Sequence, residues 1–165
     1  MDPVMLRAPR DDDWPAILRL AELSLSEMAA APNQQEWLLN RRSFSPANGF
    51  QEHFVALTED RVVGYAAVER RLQAADGEYR LFVVVPPSER TTLGSSMLAM
   101  LRERMNALGA RVAWMVEYQA DAGFLSFLES KGFTKARSYH LDDGTAVVTL
   151  TIDAPFQSLT DTTGR

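Results

Sequence analysis

Between Glu78 and Gly109 an apolar run, EYRLFVVVPP, gives way to a short turn, SERTTLGSS, and then to an amphipathic helix. A further strand-like segment, Arg111 to Glu117, follows at once. Strand, helix and strand in that order make a parallel pair joined by a right-handed crossover, because a hairpin can join only antiparallel strands. The turn also constrains chemistry. The first N–H groups of a helix lack intrahelical partners, and the helix dipole makes that end mildly positive. A strand feeding a small-residue turn that opens a helix therefore presents backbone donors to a phosphate. The helix is predicted over Thr92 to Leu108, where Leu93, Met97, Leu98, Leu101, Met105 and Leu108 share one face and Gly109 stops it.

Around this unit the punctuation predicts alternating elements. Met5 to Ala8 reads as a short strand, and Asp12 or Asp13 caps a helix carrying Pro15 in its first turn. Trp14, Ile17, Leu18, Ala21, Leu25 and Met28 recur at three and four, so that helix buries one face. A polar stretch at Ala31-Pro32-Asn33 precedes a second short helix near Gln34 to Arg41, and Ser43 to Gly49 reads as loop. His53 to Thr58 and Arg61 to Gln73 form a hairpin across Glu59-Asp60. Tyr79 to Val85 is the buried strand of the central unit, and Asp121 to Lys131 is a helix stopped by Gly132. Phe133 to Leu141 and Thr145 to Ile152 close a second hairpin. The expected fold is a mixed α/β (α+β) single domain. It has a mostly antiparallel sheet of six or seven strands, helices on both faces and one parallel βαβ unit. The domain spans 1–157, and a polar tail, 158–165, frays.

Composition narrows the function classes. The chain has 165 residues, enough for one domain with a sizeable core, and 46% of them are hydrophobic. No apolar run approaches 18 residues, and Asp2, Arg7, Arg10 and Asp11 to Asp13 interrupt any signal-peptide pattern, so a membrane is not expected and the cytoplasm is the default. The absence of cysteine removes disulfides, thiolate metal sites and a cysteine nucleophile. His53 and His140 have no spaced partners, so no metal site is expected. A net charge of −5 without a basic stripe argues against nucleic acid and suits a cationic small substrate.

The order of elements, the block LFVVVPPSERTTLGSSMLAMLRERMNALGA and the later DAGFLSFLESKGF resemble the GNAT superfamily of acyl-CoA-dependent N-acyltransferases over roughly Met5 to Ile152. In that family a strand ending in V-x-P leads into a Q/R-x-x-G-x-G/A loop, whose backbone N–H groups bind the diphosphate of acetyl-CoA. Val84-Val85-Pro86 fits V-x-P, Gly94 falls on the second loop glycine, and Ser95-Ser96 on the small residues opening the helix. Asp121 stands at the family's frequent Asn, and Phe127, Gly132 and Phe133 match their positions. The resemblance implies acetyl-CoA, or another short acyl-CoA, held by Val83, Val84, Val85, Arg90, Thr91, Thr92, Leu93, Gly94, Ser95, Ser96 and Asp121.

Three positions depart from the pattern. Glu89 replaces the loop's Gln or Arg and Thr92 its first glycine. A carboxylate turned toward a diphosphate would cost about a few kcal/mol, whereas one turned to water leaves Arg90 to supply the favourable charge. A positive φ forced on Thr92 would cost about 1–3 kcal/mol. Leu128 stands where the family's proton-donating Tyr usually lies, which leaves Tyr118 and Tyr139 as substitutes for protonating the thiolate. Some members carry a catalytic Glu eleven residues ahead of the Gln/Arg position, which is Glu78 here. The implied activity is N-acetylation of an amine, on a small molecule or peptide, by direct attack. Two rivals stay open: a binding or sensor module of the same fold, and one half of a tandem transferase. The acceptor and the oligomeric state, a homodimer included, are open too.

Overall fold

A computed structural model of the chain describes residues 4–24 and 33–156. The strands are β1 (Met5–Arg7), β2 (Gly49–Thr58), β3 (Arg61–Arg71), β4 (Glu78–Val84), β5 (Val112–Tyr118), β6 (Thr134–His140) and β7 (Ala146–Asp153). The helices are α1 (Trp14–Ser24), α2 (Asn33–Arg42), α3 (Ser95–Ala107) and α4 (Ala122–Ser130). All seven strands form one sheet in the order β1-β2-β3-β4-β5-β7-β6. Among the described residues only β4 and β5 pair in parallel. Leu25, Met28, the Ala31-Pro32 stretch and the tail from 158 to 165 lie outside the described residues.

Alternation along the central strands divides the interior into two cores. Leu81 and Val83 of β4 and Ala113 and Met115 of β5 pack with Met97, Leu101 and Met105 of α3 and Leu125 and Leu128 of α4. Their neighbours Phe82 and Val84 turn the other way, toward Trp14, Ile17 and Leu20 of α1 and Leu38 of α2. A side chain's position in these strands therefore decides which side of the sheet its chemistry serves. Gly64 of β3 lets α3 sit close, since a Cβ there would lie 2.8 Å from Met97 Sδ.

β2 begins at Gly49, so part of the expected loop is strand. Its first residues carry no apolar alternation because their polar groups are engaged in tertiary bonds. Gln51 donates to Glu69 at 2.8 Å and to the Arg41 carbonyl at 3.0 Å. Glu52 accepts two hydrogen bonds from Arg104 of α3, at 2.7 and 2.6 Å. Regular α3 starts at Ser95, later than the periodicity predicts, after a 3-10 turn (Pro87–Glu89) and a π turn (Arg90–Gly94). Single π turns of this kind occur frequently at functional sites. The N-cap is Arg10, ahead of a 3-10 turn (Asp11–Asp13) that leads into α1, and not Asp12 or Asp13. Asp13, at the third position, accepts from the Arg10 N–H at 2.7 Å and pairs with Arg7.

Beneath α2, Arg41 forms an ion pair with Glu69, each side chain only 2% exposed. Removing one partner of such a pair strands a buried charge. Glu69→Ala is expected to lower the free energy of unfolding by about 3–5 kcal/mol, and the double change Arg41→Met with Glu69→Leu to recover most of it, as measured by urea denaturation. The β2–β3 turn offers the opposite case. Glu59 and Asp60 both adopt left-handed backbone, with φ of 50° and 60°, a conformation suited to Asn-Gly. Glu59→Asn with Asp60→Gly is expected to raise stability by about 1 kcal/mol in the same assay.

Candidate active site

β4 and β5 pair at only three positions, Glu78 with Val112, Tyr79 with Ala113 and Arg80 with Trp114. Beyond Arg80 the two strands part. β4 continues on β3 alone through Val84, and β5 continues on β7 alone through Tyr118. The result is a wedge-shaped opening with its apex at Arg80 and Trp114. The facing edge of residues 81–84 keeps backbone hydrogen-bonding groups that β5 does not use. At the wide end of the wedge, β4 runs into the turn that opens α3.

That turn carries the expected loop residues, and the structure sorts them to two sides. Ser88, Glu89, Thr92 and Ser96 line a groove of about 530 Å³ toward α1 and the β2–β3 turn. Arg90 lies on the α4 side. It donates two hydrogen bonds to the Asp121 carboxylate, at 2.9 and 2.5 Å, and its guanidinium carbon sits 4.6 Å from the centre of the Phe124 ring. Asp121 also caps α4 by accepting from the Phe124 N–H at 3.2 Å. Arg90 and Asp121, two residues expected at the cofactor, thus bond to each other across the gap between the turn and α4. Arg90 therefore does not bring a free positive charge to the turn.

The strain anticipated at Thr92 is absent, since Glu59 and Asp60 are the non-glycine residues of positive φ among those described. The helical winding of the turn removes any need for a left-handed residue there. The Thr92 hydroxyl donates to the Glu89 carboxylate at 3.3 Å. Ser95 and Ser96 donate back to the carbonyls of Thr91 and Thr92, at 2.8 and 3.3 Å. Leu93 and Gly94 are buried at the base of the turn, and Val83, Val84 and Val85 are buried along the strand that leads to it.

Glu78 starts β4, on the closed side of the wedge, and lines a cavity of about 220 Å³ together with Arg80 and Trp114. Tyr118 ends β5 on the α1/α2 face, stacked on Trp37 with ring centres 5.5 Å apart. Its hydroxyl is buried without a hydrogen-bond partner, and burial pushes it well above the ordinary phenol range. Tyr139 lies on the edge strand β6 beneath the Arg137 guanidinium, 5.3 Å away. Tyr118 and Tyr139 both pair with Val147, from opposite sides. Glu78 and the two tyrosines thus lie at different ends of the sheet, and the structure does not gather them at one point. His53 shares a hydrogen bond with Tyr65 at 3.1 Å and packs beside Trp14.

Two groups escaped the sequence reading. Glu117 follows Ala113 and Met115 on the face of β5 that supports α3 and α4, one residue before the strand ends. Burial, then the Asp121 carboxylate, push its carboxyl up to about 8, with Arg90 and Arg80 opposing. The available signal was a carboxylate in register with core positions of VAWMVEY. Arg80 sits at the apex on the opposite face, a lone charge inside the apolar run of β4.

These features define a class: a mixed sheet parted beside its single parallel pair, with a helix N-terminus at the wide end. A profile of the GNAT acetyltransferase family matches residues 14–133, and the chain belongs to that family. No curated protein matches the chain. Among solved structures it is similar to a GNAT-family protein from Desulfovibrio desulfuricans, at 19% identity and a TM-score of 0.73 over 92% of this chain and 99% of that one. The ribosomal-protein-S18-alanine N-acetyltransferase of Escherichia coli aligns at 18% and 0.66, over 92% and 94%. The PaiA N-acetyltransferase of Thermoplasma acidophilum, solved with coenzyme A, aligns at 14% and 0.68, over 92% and 99%. Likeness at this level speaks for the fold. No helix among the described residues is long and apolar enough to cross a membrane.

The Glu117 carboxyl has a testable consequence for stability. Its value in the folded chain, about 8, lies above the ordinary 4.5, so the folded state holds the extra proton. The stabilisation is complete below the ordinary value and is lost as pH rises through the folded one. Unfolding free energy is expected to decline between pH 5 and pH 8, and Glu117→Gln to flatten that decline, measured by denaturant titration at several pH values.

Proposed function

We propose that the chain transfers an acetyl or other short acyl group from acyl-CoA to an amine, by direct attack with both substrates bound. The observation that carries this reading is the parting of β4 from β5 directly above the N-terminal turn of α3. An unused strand edge can pair with an extended amide-bearing arm, and the turn's N–H groups suit a diphosphate. The residues present fit such a group. The edge at Val83 and Val84, leading into Val85, would hold the arm. The turn from Arg90 through Thr91, Thr92, Leu93, Gly94, Ser95 and Ser96 would hold the diphosphate, with the Arg90 and Ser95 N–H groups themselves bonded to the Pro87 and Thr92 carbonyls. Asp121 keeps Arg90 and α4 in place beside it. When bound, acyl-CoA supplies an activated thioester. Everything else falls to the chain's own side chains.

An amine must lose a proton before or during attack, and the departing thiolate must gain one. Glu78, on the α1/α2 face of β4, is the base in this reading and acts through water, since it stands opposite Val112, about 16 Å along the sheet from Glu117. Glu117 holds a proton near neutral pH and lies at the open end of β5, so it is the donor. Tyr118 is the second candidate donor, because its buried hydroxyl has no partner of its own. Tyr139 lies beyond it, past Val147.

Calorimetric titration with acetyl-CoA, beside free CoA, tests the reading first. Micromolar affinity with preference for the acetylated form supports it, and no binding up to about a millimolar refutes it. Binding without acetyl transfer to any amine would point instead to a binding module. For an active protein, Glu117→Gln is expected to lower kcat by about 100-fold and remove a loss of activity centred near pH 8. If Tyr118→Phe has that effect and Glu117→Gln does not, the donor is the phenol. Glu78→Gln is expected to lower kcat by a similar factor, with acetyl-CoA affinity unchanged.

A further inference from the structure

Arg80 differs from most of the arginines around it. Arg41 pairs with Glu69, Arg70 with Asp76, Arg90 with Asp121 and Arg104 with Glu52. Arg80 forms no ion pair or hydrogen bond with any described residue, and its Nε is buried without a partner. Its guanidinium is enclosed by aromatic rings instead, 4.4 Å from the centre of Phe82, 4.9 Å from Trp114 and 5.9 Å from Trp37. Burial, with Arg41 and Arg71 nearby, holds it down to about 10, so it stays charged at neutral pH. Cation–π contact offsets part of the desolvation cost and leaves the fork of N–H donors unanswered.

The cavity of about 220 Å³ beside the apex is lined by Arg80 and Trp114, by two carboxylates, Glu69 and Glu78, and by two further arginines, Arg70 and Arg71. Glu69 is already taken by Arg41 and Gln51. Glu78 makes no ion pair with any described residue, Arg80 included. Glu78 and Arg80 are two residues apart on one face of β4, hence about 6–7 Å apart along the strand. Among the charged residues that line the cavity, Arg71 and Arg80 form no ion pair with any described residue, Arg71 being exposed and Arg80 enclosed. Glu78 is the unpaired carboxylate beside Arg80, with Trp114 as a wall. The cavity lies between the β3–β4 turn and the apex, with only Arg80 and Trp114 at the point beyond which β4 and β5 part.

We propose that the acceptor is a free α-amino acid, its carboxylate held by Arg80 and its amino group directed to Glu78. The proposal rests on the acyltransferase reading and names the acceptor class for that site. A planar guanidinium suits a carboxylate bidentately, and the surrounding rings exclude the water that would otherwise weaken the bond. A plain amine would leave Arg80 desolvated and unmatched, so the site discriminates by the group the acceptor lacks. The small cavity takes a single amino acid, and Trp114 favours an apolar or aromatic side chain.

The test compares α-amino acids with their amides and their decarboxylated amines, in two assays run on the full chain. One is calorimetric binding without CoA. The other is thiol release from acetyl-CoA. Expected is binding and turnover of at least one amino acid, with its amide and decarboxylated amine about tenfold or more weaker. Arg80→Met should raise Kd and KM for the amino acid by a similar factor with little effect on the decarboxylated amine, and Arg80→Lys should recover part of the loss. Circular dichroism and acetyl-CoA affinity check that both variants fold. Acetylation of decarboxylated amines as readily as amino acids, unaffected by Arg80→Met, would overturn this proposal and leave the transferase reading standing. Amino-acid binding that depends on Arg80 without acetyl transfer would uphold the site and sink the transferase reading. No amino-acid binding in a protein that binds acetyl-CoA would overturn the proposal.

Discussion

The parallel contact between β4 and β5, kept for three residue pairs and then abandoned, is the constraint on which the rest depends. A parallel pair needs a crossover, and the crossover is α3, whose N-terminal turn must stand at the end of β4. Continued pairing would have used both strand edges and left a flat, closed sheet. Parting them instead leaves backbone groups unspent next to a helix start. Each strand still has its other neighbour, β3 or β7, so the parting costs only the ladder between the two.

Charge is distributed unevenly across the two faces of that opening. On the α3/α4 side, Arg90 and Asp121 neutralise each other and tie the turn to α4, while Glu117 sits where ionisation is unfavourable. On the α1/α2 side, Arg41 and Glu69 cancel beneath Phe82, and Arg80 keeps an unshared charge among rings. The opening thus has bound pairs on both sides, with Arg80 and Glu78 unpaired at and below its apex and Glu117 and the Tyr118 hydroxyl unpaired at its wide end. The substitutions that looked damaging in the turn are compatible with this plan. Thr92 adopts ordinary helical backbone, and Glu89 faces the groove on the far side of α3.

Much of the architecture was legible because it is written in repeats and punctuation. Leu93, Met97, Leu101 and Met105 mark α3, and the run from Leu81 to Val85 marks β4, without help from anything distant. The start of β2 was not legible, since Gln51 and Glu52 look like loop residues until Arg41 and Arg104 are brought to them by the fold. The site was legible in its backbone part and less so in its side chains. V-x-P and Gly94 point to the turn, but nothing local says that Arg90 reaches Asp121, thirty-one residues on. Glu117 and Arg80 read as the rims of strands, and only the register of β4 against β5 puts them at an opening. Sequence periodicity reports burial along one element, whereas these groups owe their character to what lies across the sheet.

The strand order carries a consequence for how the chain comes to be folded. β7, the last strand, lies between β5 and β6, which precede it. During synthesis from the N-terminus, β5 emerges with neither edge fully satisfied: β4 takes a short stretch of one, and the other waits for Ala146 to Asp153. β6 meanwhile has no sheet to join, because β7 is its neighbour too. The half of the sheet beyond the parting therefore zips up in a single late event, when the final hairpin inserts. A nascent chain halted before that point would hold β4 on β3 while β5, already made, lacked β7.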